Sequence, residues 1–534
     1  MSFQPQYLGR RHKEKLDEYI LDIINCIEEA TKSHIPFNRP KPENRNKTST
    51  RKIIPGWVEL VRPHQEEANF WYQIWLSSGK PDHGDIFWNM RTSRSNFKRA
   101  KKKCINAEEV IKRDKFTEAC LNGDKSLFEE LKKMKGKSNT HSTKIDDKNS
   151  PEEIADHFGE IYKELFNKTG SADPMKNLLK EVNGEITEDQ LADVMKVNSE
   201  LIQKILKERI KPGKTDPEFE MTTDAMKNGP AELSDHLATF IRSCLTHGYI
   251  SLVLLTCAIQ PLVKDTNGKL DSSANYRGIG IGSLIMKVID WIVLILFDNE
   301  LTSDPNQFGF QAKSSTTMCS WTVVELVNQF KNSGSTVVAC LLDYRKAFDL
   351  VNHEKLFKIL MKRGVGLIFV RLLMFIYINQ KCYIKWNGVR SYSFDVTNGT
   401  RQGSIFSPRG GFGVYLDPLL QLLRESGHGL RLGLHWYGAL AYADDVILLA
   451  TSVSSLQELV NICQNHAAEN DLVFSTHPDP SQSKTVCMAF HCQDKEKLAK
   501  IHLNNDPLPW KSTAKHIGCT LHEDGTMDQD LCGK

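Results

Sequence analysis

The chain has 534 residues, of which 40% are apolar and 25% are charged, and its formal net charge is +3. At roughly 100–200 residues per domain this length predicts about three structural units, and the composition, which is typical of soluble globular proteins, excludes a wholly disordered chain. The apolar stretches at 284–297 and 367–378 contain charged residues and fall short of the ~20 residues that span a bilayer. We therefore expect no membrane crossing.

The N-terminus and the cysteines bear on the compartment. Residues 1–15 are polar and charged, without the apolar region of a secretory signal. The 13 cysteines occur singly, without a second pair that would complete a zinc site. These features predict a reducing compartment, so we expect a nuclear or cytoplasmic protein rather than a secreted one.

Charge is unevenly distributed along the chain. Residues 1–150 contain 30 Lys and Arg against 21 Asp and Glu, whereas residues 151–250 contain 12 against 19. Seven cations occur without an acid within thirteen residues: Arg91, Arg94, Lys98, Arg99, Lys101, Lys102 and Lys103. A helix there would present a dense cationic face to phosphates, which predicts nucleic-acid contact through the six cations of 94–103. The alternatives are a solvated helix face and a nuclear-import signal.

The pattern of elements changes near residue 251. Before it, apolar spacing predicts helices, in a basic region at 1–150 with linkers at 38–50 and 135–151, followed by an acidic helical segment at 151–230. After it, apolar β-branched runs alternate with helical patterns. The strands are predicted at 253–261 and 337–342, and the helices at 346–363 and 455–466. This pattern indicates an α+β fold with helices packed on a sheet.

Two adjacent carboxylates interrupt an apolar run near residue 440. Tyr442-Ala443-Asp444-Asp445 has apolar residues on both sides, which predicts the tip of a tight hairpin. Successive strand residues point to opposite faces, so the two aspartates would be unequal metal ligands. The motif is weak evidence alone, because surface turns also favour Asp.

A second carboxylate strengthens the hypothesis of a metal site. The apolar strand at 337–342 ends in Asp343. If Asp343 and Asp444 lie on neighbouring strands, they can hold two divalent ions about 3.5–4 Å apart, as nucleotidyl transfer requires. Mg²⁺ suits oxygen ligands that leave room for phosphates and water. The alternative for Asp343 is a helix N-cap.

Both carboxylate motifs belong to a longer series of short segments. In chain order the series is Gln260-Pro261-Leu262-Val263-Lys264, Asn275-Tyr276-Arg277-Gly278-Ile279, Gln307-Phe308-Gly309-Phe310, Leu342-Asp343-Tyr344-Arg345-Lys346-Ala347-Phe348-Asp349, Gly399-Thr400-Arg401-Gln402-Gly403-Ser404 with Ser407-Pro408, and Tyr442-Ala443-Asp444-Asp445, followed by Ser483-Lys484-Thr485 and His516-Ile517-Gly518. These segments, in this order, resemble the reverse transcriptases of non-LTR (LINE-type) retrotransposons, over 252–490. The resemblance implies a right-hand polymerase whose palm has an antiparallel sheet. It further implies fingers at 231–335, a palm at 336–490 and the start of a palm–thumb connection at 491–534.

The resemblance also implies roles for individual residues. Asp343 and Asp444 would bind two Mg²⁺ ions, with Asp445 beside them as a third catalytic carboxylate. Phe348 would be the steric gate that blocks a ribose 2′-OH, and Gln402 with Gly403 would pack near the template base and the nucleotide.

The remaining implied contacts are cationic. Lys264 and Arg277 match finger residues that contact the incoming triphosphate, where fixed cations neutralise phosphate charge in the transition state. Lys484 matches a late lysine near the triphosphate. The implied partners are an RNA template, a DNA primer or target and dNTPs, and the implied activity is RNA-directed DNA polymerisation; protein partners are not indicated.

The chain also departs from the family pattern. Three glycines follow Ser407-Pro408, at 410, 411 and 413, where large apolar residues are usual, and they predict an underfilled core at the start of a palm helix. Most of a thumb and the endonuclease domain are expected to be missing. These departures leave a catalytically silent RNA- or DNA-binding remnant as an alternative function. An RNA-templated RNA polymerase is a third possibility, which an aromatic gate at Phe348 disfavours.

Overall fold

The computed structural model describes residues 10–34, 56–121, 144–168, 172–266, 268–492 and 498–529. The linker predicted at 38–50, and the part of the second linker before residue 144, lie outside these residues. The chain divides into two compact units, 38–141 and the remainder, 1–37 with 142–534. Among the described residues no helix is both long enough and apolar enough to span a membrane.

The unit at 38–141 is helical where it is described. Its helices are α2 (Arg62–Ser77), α3 (Asp85–Asn106) and α4 (Glu108–Leu121). Helices α2 and α3 pack against each other, and Met90, Ser93 and Cys104 of α3 are buried. The cations of α3 occupy the remaining, exposed positions of this helix.

The larger unit contains the other described helices, beginning with α1 (Arg10–His34), which packs against the helix at Ala231–His247. In chain order these helices are α5 (Pro151–Leu165), α6 (Ala172–Glu185), α7 (Glu188–Ala192), α8 (Ser199–Lys204), α9 (Thr223–Asn228), α10 (Ala231–His247), α11 (Leu284–Leu296), α12 (Thr316–Asn332), α13 (His353–Lys362), α14 (Leu367–Asn379), α15 (Val414–Glu425) and α16 (Val453–Glu469).

Within the described residues of the larger unit, the strands form two main sheets and three small ones. They are β1 (Thr256–Val263), β2 (Tyr276–Ile281), β3 (Val337–Leu342), β4 (Lys381–Trp386), β5 (Val389–Arg390), β6 (Phe394–Asp395), β7 (Arg431–Leu432), β8 (His435–Trp436), β9 (Ala439–Tyr442), β10 (Asp445–Ala450), β11 (Val486–Phe490), β12 (His502–Leu503), β13 (Asp506–Pro507), β14 (Thr513–His516), β15 (Cys519–His522) and β16 (Met527–Gln529). The first main sheet has the order β2-β1-β4-β5, with β6 also paired to β4, and the second has the order β11-β3-β10-β9. Strands β1 and β4 run parallel, whereas every pair in the second sheet is antiparallel.

The second sheet is buried on both faces, which explains its continuous apolar sequence. Val338, Cys340 and Leu342 of β3 belong to a cluster formed largely by helices, whereas Ala339 and Leu341 belong to another that includes α12 and β15. Because adjacent strand residues point to opposite faces, both sets must be apolar. The α+β class and the antiparallel palm sheet predicted from the sequence are confirmed.

One predicted helix begins later than expected. The pattern at 346–363 predicts a single helix, but α13 begins at His353, after a 3₁₀ turn at Ala347–Asp349. Lys346 has a positive φ of 52°, which interrupts a right-handed helix, and the side chain of Asn352 caps α13 by accepting a hydrogen bond from the Lys355 N–H. The prediction was wrong over these seven residues.

The glycine-rich segment does not leave the core underfilled. Ser407–Gly413 forms a π-helical turn that leads into α15, and the rings of Phe406 and Phe412 are fully buried there. A Cβ at Gly410 would lie 2.1 Å from the Phe406 ring, so this glycine makes room for the ring. The prediction of missing volume was therefore wrong, because neighbouring side chains occupy the space: the Phe406 ring at Gly410, Thr400 at Gly411 and Ser303 at Gly413.

Candidate active site

The paired aspartates lie at the tip of a two-residue hairpin, as predicted. Asp445 is opposite Tyr442 in the register of β9 and β10, so Ala443 and Asp444 form the turn. Ala443 has a positive φ of 58°. A positive φ at the first central residue is typical of the tight turns that join antiparallel strands.

Asp343 lies at the same edge of the sheet. Leu342 pairs with Val446 on the antiparallel strands β3 and β10, which places Asp343 beside Asp445. The Asp343 N–H donates to Thr485 Oγ1 at 3.2 Å, and its carbonyl accepts from the Ser475 N–H at 2.7 Å. The N-cap alternative for Asp343 is wrong, because the next α-helix begins ten residues later and Asn352 caps it.

The three carboxylates interact electrostatically. Desolvation raises the pKa of Asp444, and the negative charge of Asp343 raises it further. Desolvation also raises the pKa of Asp445 to about 6, although its side chain is exposed, with Asp444 and Asp343 as further causes. Arg277 opposes both shifts. The site therefore concentrates negative charge that a cation would stabilise.

The donor set suits a hard divalent cation. All three side chains offer carboxylate oxygens, the ligands that Mg²⁺ prefers while it keeps several waters. Within the described part of the chain, no three His, Cys, Asp or Glu side chains are grouped closely enough to hold an ion by themselves. The carboxylates thus fit an open site that water and phosphate oxygens complete.

Cationic side chains form a cluster that includes Arg277, the cation that acts on Asp444 and Asp445. Lys264 follows β1 and Arg277 lies on β2, opposite Leu262. Desolvation lowers the pKa of Lys264, and the positive charges of Lys346, Arg277 and Lys484 lower it further. The three predicted triphosphate-contacting cations are therefore close enough to affect one another. Such a cluster favours a polyanionic ligand.

The loop with Gln402 and Gly403 packs against β2 and the turn after β3. Gln402 Nε2 donates to Asp349 Oδ1 at 2.9 Å. Gly403 has a φ of 72°, and a Cβ there would lie 2.4 Å from the Gly280 carbonyl oxygen. Only glycine permits this close approach between the loop and β2.

Phe348 lies in the 3₁₀ turn between Asp343 and α13 and is half-buried. Its ring stacks on Phe412, with centroids 4.4 Å apart, and meets Phe310 edge-on at 6.3 Å. Its carbonyl accepts from the Thr400 N–H at 2.7 Å. The candidate gate is therefore held through both its ring and its backbone.

A family model described as reverse transcriptase (RNA-dependent DNA polymerase) matches residues 264–520. That span contains the three carboxylates, the cation cluster and Phe348. Residues 264–520 belong to the reverse transcriptase family. The resemblance stated from the motifs is confirmed.

Three curated proteins of transposable elements are similar to part of this chain. The Pol polyprotein of type-1 retrotransposable element R2 from Nasonia vitripennis is 24% identical over 196 residues, which is 37% of this chain and 19% of the relative. The corresponding R2 protein of Popillia japonica is 25% identical over 212 residues, 39% of this chain and 29% of the relative. The uncharacterized 149 kDa protein of transposon TX1 from Xenopus laevis is 31% identical over 146 residues, 27% of this chain and 11% of the relative. The matched part of this chain thus spans less than a third of each relative.

A solved structure also aligns with the chain. Apo telomerase from Candida tropicalis, truncated from its C-terminal domain, aligns over 59% of this chain and 63% of that structure. The TM-score is 0.38 and the sequence identity is 12%. No functional inference follows from a similarity of this size.

Reverse transcriptases as a family use divalent metal ions and bind template and primer nucleic acids. Two charged residues of this reverse transcriptase domain, Lys346 and Asp349, interact with predicted site residues but were not themselves predicted. Lys346 adds to the desolvation that lowers the pKa of Lys264, and burial raises the pKa of Asp349 to about 6, although Lys346 and Gln402 oppose that shift. Both residues lie in the matched segment at 342–349, and their charge is the sequence feature that could have identified them as site residues.

The predicted nucleic-acid contacts lie in the other unit, outside the reverse transcriptase domain. Arg94, Lys98, Arg99 and the three lysines at 101–103 all have exposed side chains on α3. Aromatic rings lie among the cations of this helix. Arg91 lies over the Trp88 ring at 5.8 Å, and Arg94 lies over the Tyr72 ring at 5.6 Å.

Proposed function

We propose that this chain is an RNA-directed DNA polymerase that adds dNTPs to a primer 3′-OH. The observation that carries the proposal is the position of Asp343, Asp444 and Asp445 at one sheet edge, where desolvation raises the pKa values of Asp444 and Asp445 and the neighbouring carboxylates raise them further. Their location inside a reverse transcriptase domain supports the same reaction. We assign fingers to 231–335 and palm to 336–490.

Asp343 and Asp444 are the proposed ligands of two Mg²⁺ ions, with Asp445 beside them. Bound magnesium would supply charge stabilisation to the attacking and leaving oxygens of the phosphoryl transfer. The protein contributes rigid backbone at the first ligand, because the next residue, Tyr344, is buried and packs on Phe474 with ring centroids 4.5 Å apart.

Lys264, Arg277 and Lys484 are the proposed contacts of the incoming triphosphate. Desolvation lowers the pKa of Lys264 and the neighbouring cations lower it further, so an anion among them would relieve their repulsion. Fixed cations would also stabilise the negative charge of the departing pyrophosphate. Lys346 belongs to the same cluster and is a further candidate contact.

Phe348 is the proposed steric gate for the ribose 2′-OH, which favours dNTPs over rNTPs. Support comes from its half-buried ring, which is held in place by the stacking of Phe412. Gln402 and Gly403 are proposed to pack against the nucleotide and the template base. The donation from Gln402 to Asp349 supports an ordered loop at that position.

The exposed cations of α3 are proposed to bind the phosphates of the RNA template and of the DNA primer or target. Their charge is complementary to nucleic acid, and Trp88, with 57% of its surface exposed, lies among them. Exposed aromatic rings beside cations stack with unpaired bases. We place the polymerase in the nucleus or the cytoplasm, where such a template and target occur.

Primer extension on an RNA template, with Mg²⁺ and either dNTPs or rNTPs, tests the proposed function. We expect DNA synthesis with dNTPs and at most weak extension with rNTPs. Efficient extension with rNTPs alone would indicate an RNA polymerase instead. A folded protein that binds RNA and extends no primer would support the silent binding function.

A further inference from the structure

A buried amide side chain contacts the turn that carries Asp444. The Ala443 N–H donates to Gln307 Oε1 at 2.8 Å, and Gln307 Nε2 donates to the Ala443 carbonyl at 3.4 Å. Gln307 is 2% exposed, so water does not compete for these bonds. Both polar groups of one residue in the turn are therefore satisfied by a side chain 136 positions earlier in the chain.

The residue that Gln307 holds has an unfavourable conformation. Ala443 has a φ of 58°, in the left-handed region that residues other than glycine rarely adopt. Such conformations persist where the surrounding structure restrains them, and they are concentrated at functional sites. Gln307 supplies a restraint of this kind.

The backbone around Gln307 is itself paired to the hairpin. The Phe308 N–H donates to the Ala441 carbonyl at 2.7 Å, and the Ala441 N–H donates to the Asn306 carbonyl at 2.8 Å. Gln307 Oε1 also accepts from the Gly309 N–H at 2.8 Å, which orients the amide. The amide group thus has a defined position relative to β9.

Gly309 permits the close contact between the two segments. A Cβ at this position would lie 2.3 Å from the Ala443 nitrogen, which is far inside van der Waals contact. A larger residue would push the turn away from the segment. Gly309 and Gln307 therefore both permit close contact between their segment and the turn at Ala443.

We propose that Gln307 is a positioning residue that sets the directions of the metal-binding carboxylates by restraining the Ala443 peptide. The proposal rests on the proposed function, because it assigns Asp444 to a metal ion. Asp444 and Asp445 follow directly after the restrained peptide, so a change in the Ala443 conformation would redirect both side chains relative to Asp343. Gln307 itself touches no reacting group.

Two variants separate this role from a general loss of stability. Gln307→Met keeps a side chain of similar length but removes the amide, and Gln307→Asn keeps an amide that is one methylene shorter. Asn306→Leu is the matched control. It also removes a buried amide, whose Nδ2 donates to the Trp436 carbonyl at 3.1 Å and not to the turn.

The first measurement is hydrogen exchange at the Ala443 amide in the full chain. Loss of a buried hydrogen bond predicts exchange about tenfold faster in both Gln307 variants and unchanged exchange in Asn306→Leu. The second is titration of the full chain with Mn²⁺, followed by electron paramagnetic resonance. We expect the apparent dissociation constant to rise about threefold to tenfold in the Gln307 variants only.

Each outcome decides the inference. Faster Ala443 exchange with weaker Mn²⁺ binding, confined to the Gln307 variants, supports it. Wild-type Mn²⁺ affinity in Gln307→Met or Gln307→Asn overturns it while leaving the proposed function intact. Failure of the wild-type chain to bind Mn²⁺ in a manner that depends on Asp343 overturns the proposed function, and the inference with it.

Discussion

Phe348 stacks on Phe412, with ring centroids 4.4 Å apart and ring planes inclined by 27°. Phe412 comes from the glycine-rich turn at Ser407–Gly413 and is fully buried. A segment that departs from the family pattern therefore supports the ring that we propose as the ribose gate. Selectivity for dNTPs should depend on both rings.

Phe412→Leu should weaken the preference for dNTPs over rNTPs. Loss of an aromatic pair worth ~1 kcal/mol predicts a decrease of about fivefold in the ratio of kcat/KM for dNTP to that for rNTP. Steady-state kinetics on one RNA template measures the ratio, which is independent of the active fraction of each preparation. Phe406→Leu is the control, because its ring is equally buried but packs over Gly410. An equal change in both variants would argue against a specific role for Phe412.

Asp290→Asn should strongly destabilise the larger unit. Asp290 and Arg401 form a buried ion pair, with 1% and 9% of their side-chain surfaces exposed, and Asp290 Oδ2 also accepts from the Ile405 N–H at 2.8 Å. Removing one partner leaves a buried charge, which costs about 3–5 kcal/mol in the free energy of unfolding. Denaturant titration measures this cost.

The control for Asp290 is Asp298, which pairs with Arg409 at 2.6 Å and has 65% of its side chain exposed. Asp298→Asn should cost less than ~1 kcal/mol, because water screens the pair. Similar losses in the two variants would contradict the distinction between a buried and an exposed ion pair.

Asp349 should make stability depend on pH. Its pKa of about 6 in the folded protein exceeds the ~4 of an unfolded aspartate, so the folded state binds more protons between these values. The contribution of Asp349 to stability is therefore present below about pH 4 and is lost as the pH rises to about 6. Relative to wild type, Asp349→Asn should gain melting temperature across that interval.

Comparing Asp349→Asn with wild type cancels the pH dependence of stability that other titratable groups contribute. Burial lowers the pKa of His353 to about 4, which gives the opposite dependence on pH, but this histidine is present in both proteins. Melting curves without divalent ions, from about pH 4.5 to about pH 7.5, provide the difference. A difference that is constant with pH would show that Asp349 is not desolvated as the structure has it.

Neutralising Lys101, Lys102 and Lys103 to Gln should weaken RNA binding and flatten its dependence on salt. Each lost phosphate contact lowers the slope of log K against log salt by about 0.7 for a single strand. Fluorescence anisotropy at several salt concentrations measures the slope. An unchanged slope would assign this stretch to a solvated helix face.

Local patterns and motif order were enough to predict the sheet and its hairpin. Asp444 lies at the predicted tip, and β3 ends directly before Asp343. Both predictions depend on short-range information, because apolar runs that are buried on both faces stand out in the sequence. The predicted roles of the site residues remain to be tested.

Contacts between distant segments could not be predicted in this way. Gln307 meets Ala443 across 136 positions, and no local pattern indicates the pairing. The positive φ of Lys346 likewise depends on its surroundings, since lysine has no preference for that region. The glycines at 410, 411 and 413 were misleading because side chains from other positions fill the space, including Thr400 and the distant Ser303.

Primer extension by the purified chain on an RNA template, with Mg²⁺ and dNTPs, decides whether the carboxylates at the sheet edge catalyse DNA synthesis. The proteins to compare are wild type, Asp343→Ala and Asp444→Asn. We expect incorporation by wild type, none by either variant, and RNA affinity within about twofold of wild type in both, because the cations of α3 are unchanged. Equal incorporation by wild type and the variants, or none by a folded wild-type chain that binds RNA, would refute this assignment.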